Sequence, residues 1–304
     1  MRLITRGDFD GLVCAVLLKH VETISSIVLM HPRDAQDQRI ACTDDDIVAN
    51  LPFIRGCGMW FDHHASQQAS RAEFSRASSL KGAFALLPSC AEVIRDYYMA
   101  QRKSDFSRFN AMIEAAAHLD SGNLLIDDIL FPRGWILLGL TLDPRSNLGS
   151  GFEDYFRLLT DLVPDTCVEK VLEHPEVVLR ADRLLSEQLA FRELVLKHAS
   201  QQKNVILTDF RGVPYKPAGN RFLVYALFPD SNVEVRVFDG RNGRVVIAVG
   251  RSITNRTCTA NIGQYLTQFG GGGHTGAGAV QVAAEAADKI VAEIVAWLQT
   301  QPLK

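Results

Sequence analysis

The sequence has no paired cysteines, no long apolar run and no excess of one charge. Its six cysteines, Cys14, Cys42, Cys57, Cys90, Cys167 and Cys258, are scattered without a CxxC pair. That spacing excludes a disulfide framework, argues against a zinc ribbon and predicts buried free thiols. No window reaches the roughly 18 uninterrupted apolar residues of a membrane span, so no membrane contact is expected. Met1 to Arg6 turns acidic by Asp8 without a signal-peptide apolar region, which predicts a cytoplasmic protein. Aromatic residues make up only 8% of the chain and the formal net charge is −3. No stripe of aromatic and basic residues is available to grip a long nucleic acid, although a short one is not excluded. What remains is an ordinary globular balance, 47% hydrophobic and 22% charged over 304 residues, a length that favours two domains.

The first half reads as α/β. Leu3-Ile4-Thr5 is a short apolar strand that breaks at Gly7-Asp8-Phe9-Asp10-Gly11, and Leu12 to Val21 suits a helix. Further apolar runs at Ile24–Met30, Ile47–Ala49 and Met59–Phe61 predict strands, and helical stretches cover 91–101 and 109–119. This alternation predicts a mostly parallel sheet flanked by helices. Residues 177–198 read as one long amphipathic helix, with Leu184, Leu185, Leu189, Leu194 and Leu196 on or near its apolar side. Beyond it, β-type runs at 204–208, 221–228, 233–239 and 244–249 precede a helix at 259–269. A strand at 279–282 and an Ala-rich helix at 283–298 close the chain. The expected organisation is a domain over 1–175, a linker helix over 176–200 and a smaller α/β domain with a mixed sheet over 201–304.

Chemistry-bearing residues fall at the strand ends. Asp8 and Asp10 follow the first strand, and Asp62-His63-His64 follows the Trp60-Phe61 strand. Ligands of an open α/β sheet gather at that rim. Carboxylates with imidazole suit Mn²⁺ and a carboxylate-rich set also suits Mg²⁺. Such an ion can polarise a phosphoryl oxygen and activate water. Each piece alone has a plainer reading: Asp-x-Asp-Gly is common in turns, and Asp120 before Ser121-Gly122 fits a helix end.

Together these motifs resemble the DHH phosphoesterase superfamily, named for the Asp-His-His triplet. Asp8-Phe9-Asp10-Gly11 looks like its first motif, Asp62-His63-His64 its third and Asp120-Ser121-Gly122 its fourth. Phe269 to Gly278, with Gly270-Gly271-Gly272-Gly273-His274 at its heart, looks like the signature of the DHH-associated C-terminal domain. The branch it is most similar to includes oligoribonucleases, pAp phosphatases and exopolyphosphatase-related proteins. The resemblance implies a metal site, usually for Mn²⁺, with Asp8, Asp10, His63 and Asp120 as ligands. It implies that Asp62 orients the histidines and that His64 lies against the substrate phosphate or the metal. It also implies a C-terminal domain that binds substrate across a cleft, with Gly271, Gly272, Gly273 and His274 near the phosphate. Glycines that turn several N–H groups inward suit that task. Arg251 follows a β-run and is a candidate phosphate fork, with a solvated surface arginine as the alternative.

Two departures from the family pattern are visible. No histidine precedes Asp8, where the stretch is Leu3-Ile4-Thr5-Arg6-Gly7, and Asn50 stands at the strand end where an aspartate often bridges two metals. An Asn oxygen brings no charge, so Asn50 is expected as a weak fifth ligand and a second ion is harder to hold. Arg6 could stand in for a cation or bind substrate phosphate. The expected activity is hydrolysis of a small nucleotide-like or short oligonucleotide phosphate ester, with a homodimer allowed. A phosphate-ligand sensor of the same fold and an exopolyphosphatase are the alternatives.

Overall fold

The computed structural model describes residues 1–67, 80–101, 104–143, 151–214, 217 and 219–302. They divide into two compact units, Met1–Asn123 with Pro132–Leu184, and Leu124–Phe131 with Leu185–Lys304.

The first unit is built on five parallel strands, β1 (Arg2–Thr5), β2 (Ser26–Leu29), β3 (Asp46–Ala49), β4 (Met59–Asp62) and β5 (Lys81–Phe84), in the order β2-β1-β3-β4-β5. The inner strands are buried on both faces, which is why they read as unbroken apolar runs. On one face Ile4, Val48 and Trp60 pack with Leu51, Phe53 and Ile54, and the Trp60 indole donates to the Leu51 carbonyl at 3.0 Å. The helix Phe9–Val21 is buried continuously from Phe9 to Leu18 and packs against the helices Cys90–Ala100, Asn110–Ser121 and Phe152–Leu162. Register matters for function. Thr5 pairs with Ala49, and Ala49 with Phe61, so β1, β3 and β4 end level. Asp8, Asn50 and Asp62-His63-His64 therefore emerge on one rim.

The opposite rim is closed by Asp46, the first residue of β3. Arg2 grips it bidentately, Nε to Oδ1 and Nη2 to Oδ2 at 2.8 Å each, and the Thr43 N–H donates to Oδ2 at 2.7 Å. Burial alone would raise this carboxyl, but the Arg2 and Thr43 hydrogen bonds outweigh it and hold its pKa below the usual value. A depressed folded pKa stabilises above the ordinary carboxylate range and is lost as pH falls through the folded value. Asp46→Asn is expected to cost about 1–3 kcal/mol at neutral pH in urea unfolding. The gap to the wild type should close as acid protonates Asp46; a gap independent of pH would refute the ion-pair origin.

The second unit is a six-stranded mixed sheet of β6 (Ala199–Gln202), β7 (Val205–Asp209), β8 (Val233–Asp239), β9 (Arg244–Arg251), β10 (Gly272–His274) and β11 (Ala277–Ala283). Its order is β10-β11-β9-β8-β7-β6, with only β7 and β8 parallel. The helix Ala284–Gln299 lays Ala287, Val291, Ile294 and Leu298 on a core of Val205, Val235, Ile247 and Val280.

Several local expectations are corrected. Residues 221–228 are not a strand. Asn220 Oδ1 accepts the Phe222 N–H at 3.0 Å and opens the short helix Leu223–Leu227. The helix expected over 259–269 is shorter, Ile262–Leu266 followed by a 3₁₀ turn. In the long helix Pro175–His198, the buried side is Val177, Ala181, Leu184, Gln188, Phe191 and Val195. Leu185, Leu189 and Leu196 are exposed, at 38%, 65% and 51%. The cysteines are all free, four buried, with Cys42 half-buried and Cys167 exposed.

Candidate active site

The site grows from the loop after β1. Asp8 is the N-cap of the helix Phe9–Val21, its Oδ1 accepting the Gly11 N–H at 2.9 Å. Gly11 is required by close approach, since a Cβ there would lie 1.9 Å from the Arg6 carbonyl oxygen. The turn at Asp8-Phe9-Asp10-Gly11 therefore also sets the directions of the two carboxylates. Arg6 Nε meets Asp8 Oδ2 at 2.8 Å, and Asn50 Nδ2 donates to Asp8 Oδ1 at 3.1 Å. Asn50 sits at φ 56°, a left-handed conformation that asparagine tolerates at the end of β3.

Asp10, in the first turn of that helix, is buried and accepts the N–H groups of Cys90 (2.9 Å) and Ala91 (3.0 Å) at the start of the helix Cys90–Ala100. Asp120 comes from the last turn of the helix Asn110–Ser121, which Gly122 closes in the left-handed conformation. Between them points His63. Its Nδ1 donates to the Leu87 carbonyl at 3.0 Å, so in the neutral ring Nε2 carries the lone pair. Nε2 lies 3.8 Å from Asp10 Oδ2 and 3.3 Å from Asp120 Oδ2 and has no hydrogen bond.

A ring nitrogen lone pair facing two carboxylates is repelled unless a cation lies between them. Two ligand atoms about 2.1 Å from a common ion stand roughly 3–3.5 Å apart, close to the spacing here. The orphaned atoms agree with this. Of the eight buried side-chain N and O atoms without a partner among the described residues, Thr5 Oγ1, Asn50 Oδ1, Asp62 Oδ2 and His63 Nε2 all belong to this rim. The residues fit a divalent ion. Burial raises the pKa of Asp8 and, much more, of Asp10; Asp120 pushes both upward, while Arg6 draws Asp8 back.

The triplet divides its work. Asp62, His63 and His64 each offer an atom within 4.8 Å of the others. Asp62 Oδ1, however, accepts from the His63 N–H (2.9 Å), the His64 N–H and His64 Nδ1 (2.8 Å), so it fixes the His64 ring and the backbone of both histidines. His64 is then held with Nδ1 on Asp62 and is one-third exposed. Burial pulls its imidazole down, but Asp62, Asp120 and Asp10 more than offset that, and its pKa is raised.

Arg6, Asp8, Asp10, Asn50, Asp62, His63, His64 and Asp120 come together in the first unit. Arg251, Gly271, Gly272, Gly273 and His274 belong to the second and adjoin one another there. Glycine is needed at 273 because a Cβ would lie 2.3 Å from the Ala277 carbonyl oxygen across the β10–β11 hairpin. Gly272 has open space beside it, and His274 is exposed. Arg251 is neither a solvated surface group nor a bare phosphate fork. Its guanidinium donates to the carbonyls of Thr259 (2.8 Å) and Ala260 (3.0 and 2.6 Å), tying the end of β9 to that segment. Sequence reasoning missed Leu87 and the Cys90 and Ala91 amides, which act through backbone atoms and leave no side-chain signal.

A parallel sheet with an acidic and histidine rim in one unit, and a glycine hairpin in the other, mark the DHH phosphoesterase class, and the chain belongs to that family. It is similar over 98% of its length, and over 98% of the other chain, to the pGpG-specific phosphodiesterase PggH of Vibrio cholerae, with 32% identity and a TM-score of 0.86. RecJ of Thermus thermophilus, solved in complex with Mn²⁺, matches at TM-score 0.58 and 15% identity, over all of this chain and 53% of RecJ. An exopolyphosphatase-related protein of Bacteroides fragilis matches at TM-score 0.54 and 12% identity, over 96% of this chain and 90% of that one. At those identities the two share the fold alone. No family model and no curated protein matches the sequence. Among the described residues no helix is long and apolar enough to cross a membrane.

Proposed function

We propose that this chain is a phosphodiesterase that uses a divalent ion, Mn²⁺ for preference, to hydrolyse a short nucleotide with a guanine dinucleotide such as pGpG as the substrate class. The observation that carries the reading is the partnerless His63 Nε2 facing Asp10 and Asp120, in a chain similar to PggH from end to end. Asp10, His63 and Asp120 would hold the ion, with Asn50 Oδ1 as a neutral helper. A bound ion supplies Lewis acidity to a phosphoryl oxygen and to a water. The chain's own groups do the rest. Leu87 and Asp62 fix the two imidazoles, Arg6 offers a guanidinium beside Asp8 for a phosphate oxygen, and the outer nitrogen of His64 delivers a proton to the departing sugar oxygen. Residues 201–304, with the glycine hairpin and His274, are the proposed substrate-binding domain.

The test is turnover of pGpG, pApA, pAp, an aryl phosphodiester and polyphosphate with added Mn²⁺. The expected result is pGpG cleavage at least tenfold faster in kcat/KM than pApA, about 1.4 kcal/mol of discrimination, and none of polyphosphate. Binding of pGpG without cleavage in the Mn²⁺-loaded protein would instead establish the sensor reading.

A further inference from the structure

On that reading of the site as a phosphoesterase centre, we propose that Arg6, ion-paired to Asp8, takes the place of a second metal ion, so that the centre holds one ion per chain. Three observations carry it. First, Asp8 is already committed: Oδ2 meets the Arg6 guanidinium at 2.8 Å, and Oδ1 accepts from Gly11 N–H and Asn50 Nδ2. A carboxylate has about four acceptor positions; two on Oδ1 are filled by donors from the chain itself, and Oδ2 faces the Arg6 charge. Second, the residue beside it, Asn50, turns a donor toward Asp8 and so cannot bridge two cations as a carboxylate does. Third, the charges close. Asp8, Asp10 and Asp120 are balanced by one guanidinium and one dication. A second dication would leave these same groups with a net positive charge of two in a largely buried pocket, which is costly at low dielectric.

Arg6 is suited to this post. Its charge is permanent, and a planar fork can bind one carboxylate while presenting a second edge. Nε makes its nearest approach to Asp8, and the side chain is one-third exposed. Its two terminal nitrogens have no other partner among the described residues and can take a phosphate oxygen, the job a second ion would do.

The experiment loads chelator-stripped protein with Mn²⁺ and reads both the ions bound per chain and the electron paramagnetic resonance spectrum. One Mn²⁺ per chain, with the spectrum of an isolated ion, is expected. Zero, or two with the exchange-coupled spectrum of a neighbouring pair, overturns the proposal. The double variant Arg6→Ala/Asn50→Asp should gain a second, coupled Mn²⁺; a folded double variant that stays at one ion overturns the assignment of these two residues. Should the double variant not fold, the wild-type stoichiometry still decides. These outcomes are separate from turnover of pGpG. Failure to cleave it with one ion bound would strike the proposed activity and leave the one-ion centre standing.

Discussion

Asp10→Asn is expected to strip the protein of Mn²⁺ affinity and lower turnover by about a thousandfold, roughly 4 kcal/mol of transition-state stabilisation. The reason lies in what surrounds the carboxylate. Asp10 is buried, and its two oxygens accept the Cys90 and Ala91 amides. An asparagine must turn its NH₂ against one of those N–H groups, donor against donor, besides losing the charge that faces His63 and Asp120. The wild-type protein carries an internal comparison. Without an ion, Asp8, Asp10 and Asp120 repel one another across a buried space; burial first, and the charge of Asp120 after it, push the Asp8 and Asp10 carboxyls up. Adding Mn²⁺ at a hundredfold excess over its dissociation constant should stabilise the fold by about 2.7 kcal/mol, read as a rise in Tm. Asp10→Asn should show no such rise. A variant with full Mn²⁺ content and turnover within tenfold of wild type would remove Asp10 from the centre.

Much of this site is legible in the sequence because sheet physics places it. Once Leu3-Ile4-Thr5 and Trp60-Phe61 are read as parallel strands, Asp8, Asp10 and the Asp62 triplet must share the carboxyl rim, and the observed register confirms that rim. Asp120 is different. It reaches the rim from a helix end, and no local pattern announces that; only the family resemblance points to it. The partners that aim His63 and Asp10 are backbone groups, of Leu87, Cys90 and Ala91, so side-chain identity is silent about them. Strands β5, β6 and β10 escape for a related reason. Lys81-Gly82-Ala83-Phe84, Ala199-Ser200-Gln201-Gln202 and Gly272-Gly273-His274 contain no β-branched residue, and neighbouring strands impose their conformation. The opposite error, at 221–228, comes from aromatic and β-branched residues in a short apolar run, where periodicity cannot separate strand from helix. There the chain forms the short helix Leu223–Leu227, just after the Asn220 side chain accepts the Phe222 N–H.

His64 supports an expected effect of similar size with a different signature. His64→Gln should lower kcat on a dinucleotide by about 10²- to 10⁴-fold, the span of a lost general acid, while Mn²⁺ content stays at the wild-type level. His64 is separable from the ion centre because its Nδ1 is bound to Asp62 at 2.8 Å and the ring is one-third exposed. The Asp62 carboxylate on Nδ1 favours the protonated ring that such an acid requires. The departing sugar alkoxide needs that proton; a nitrophenolate does not. The same variant should therefore lose far less activity on an aryl phosphodiester than on pGpG. Asp62→Asn should fall between wild type and His64→Gln, since an amide oxygen can still accept the His64 proton but brings no charge to hold the imidazolium. Equal losses on the aryl and dinucleotide substrates would mean that His64 positions the phosphate and transfers no proton. Loss of Mn²⁺ in His64→Gln would place it among the ligands, and the ion centre would then extend across the whole triplet.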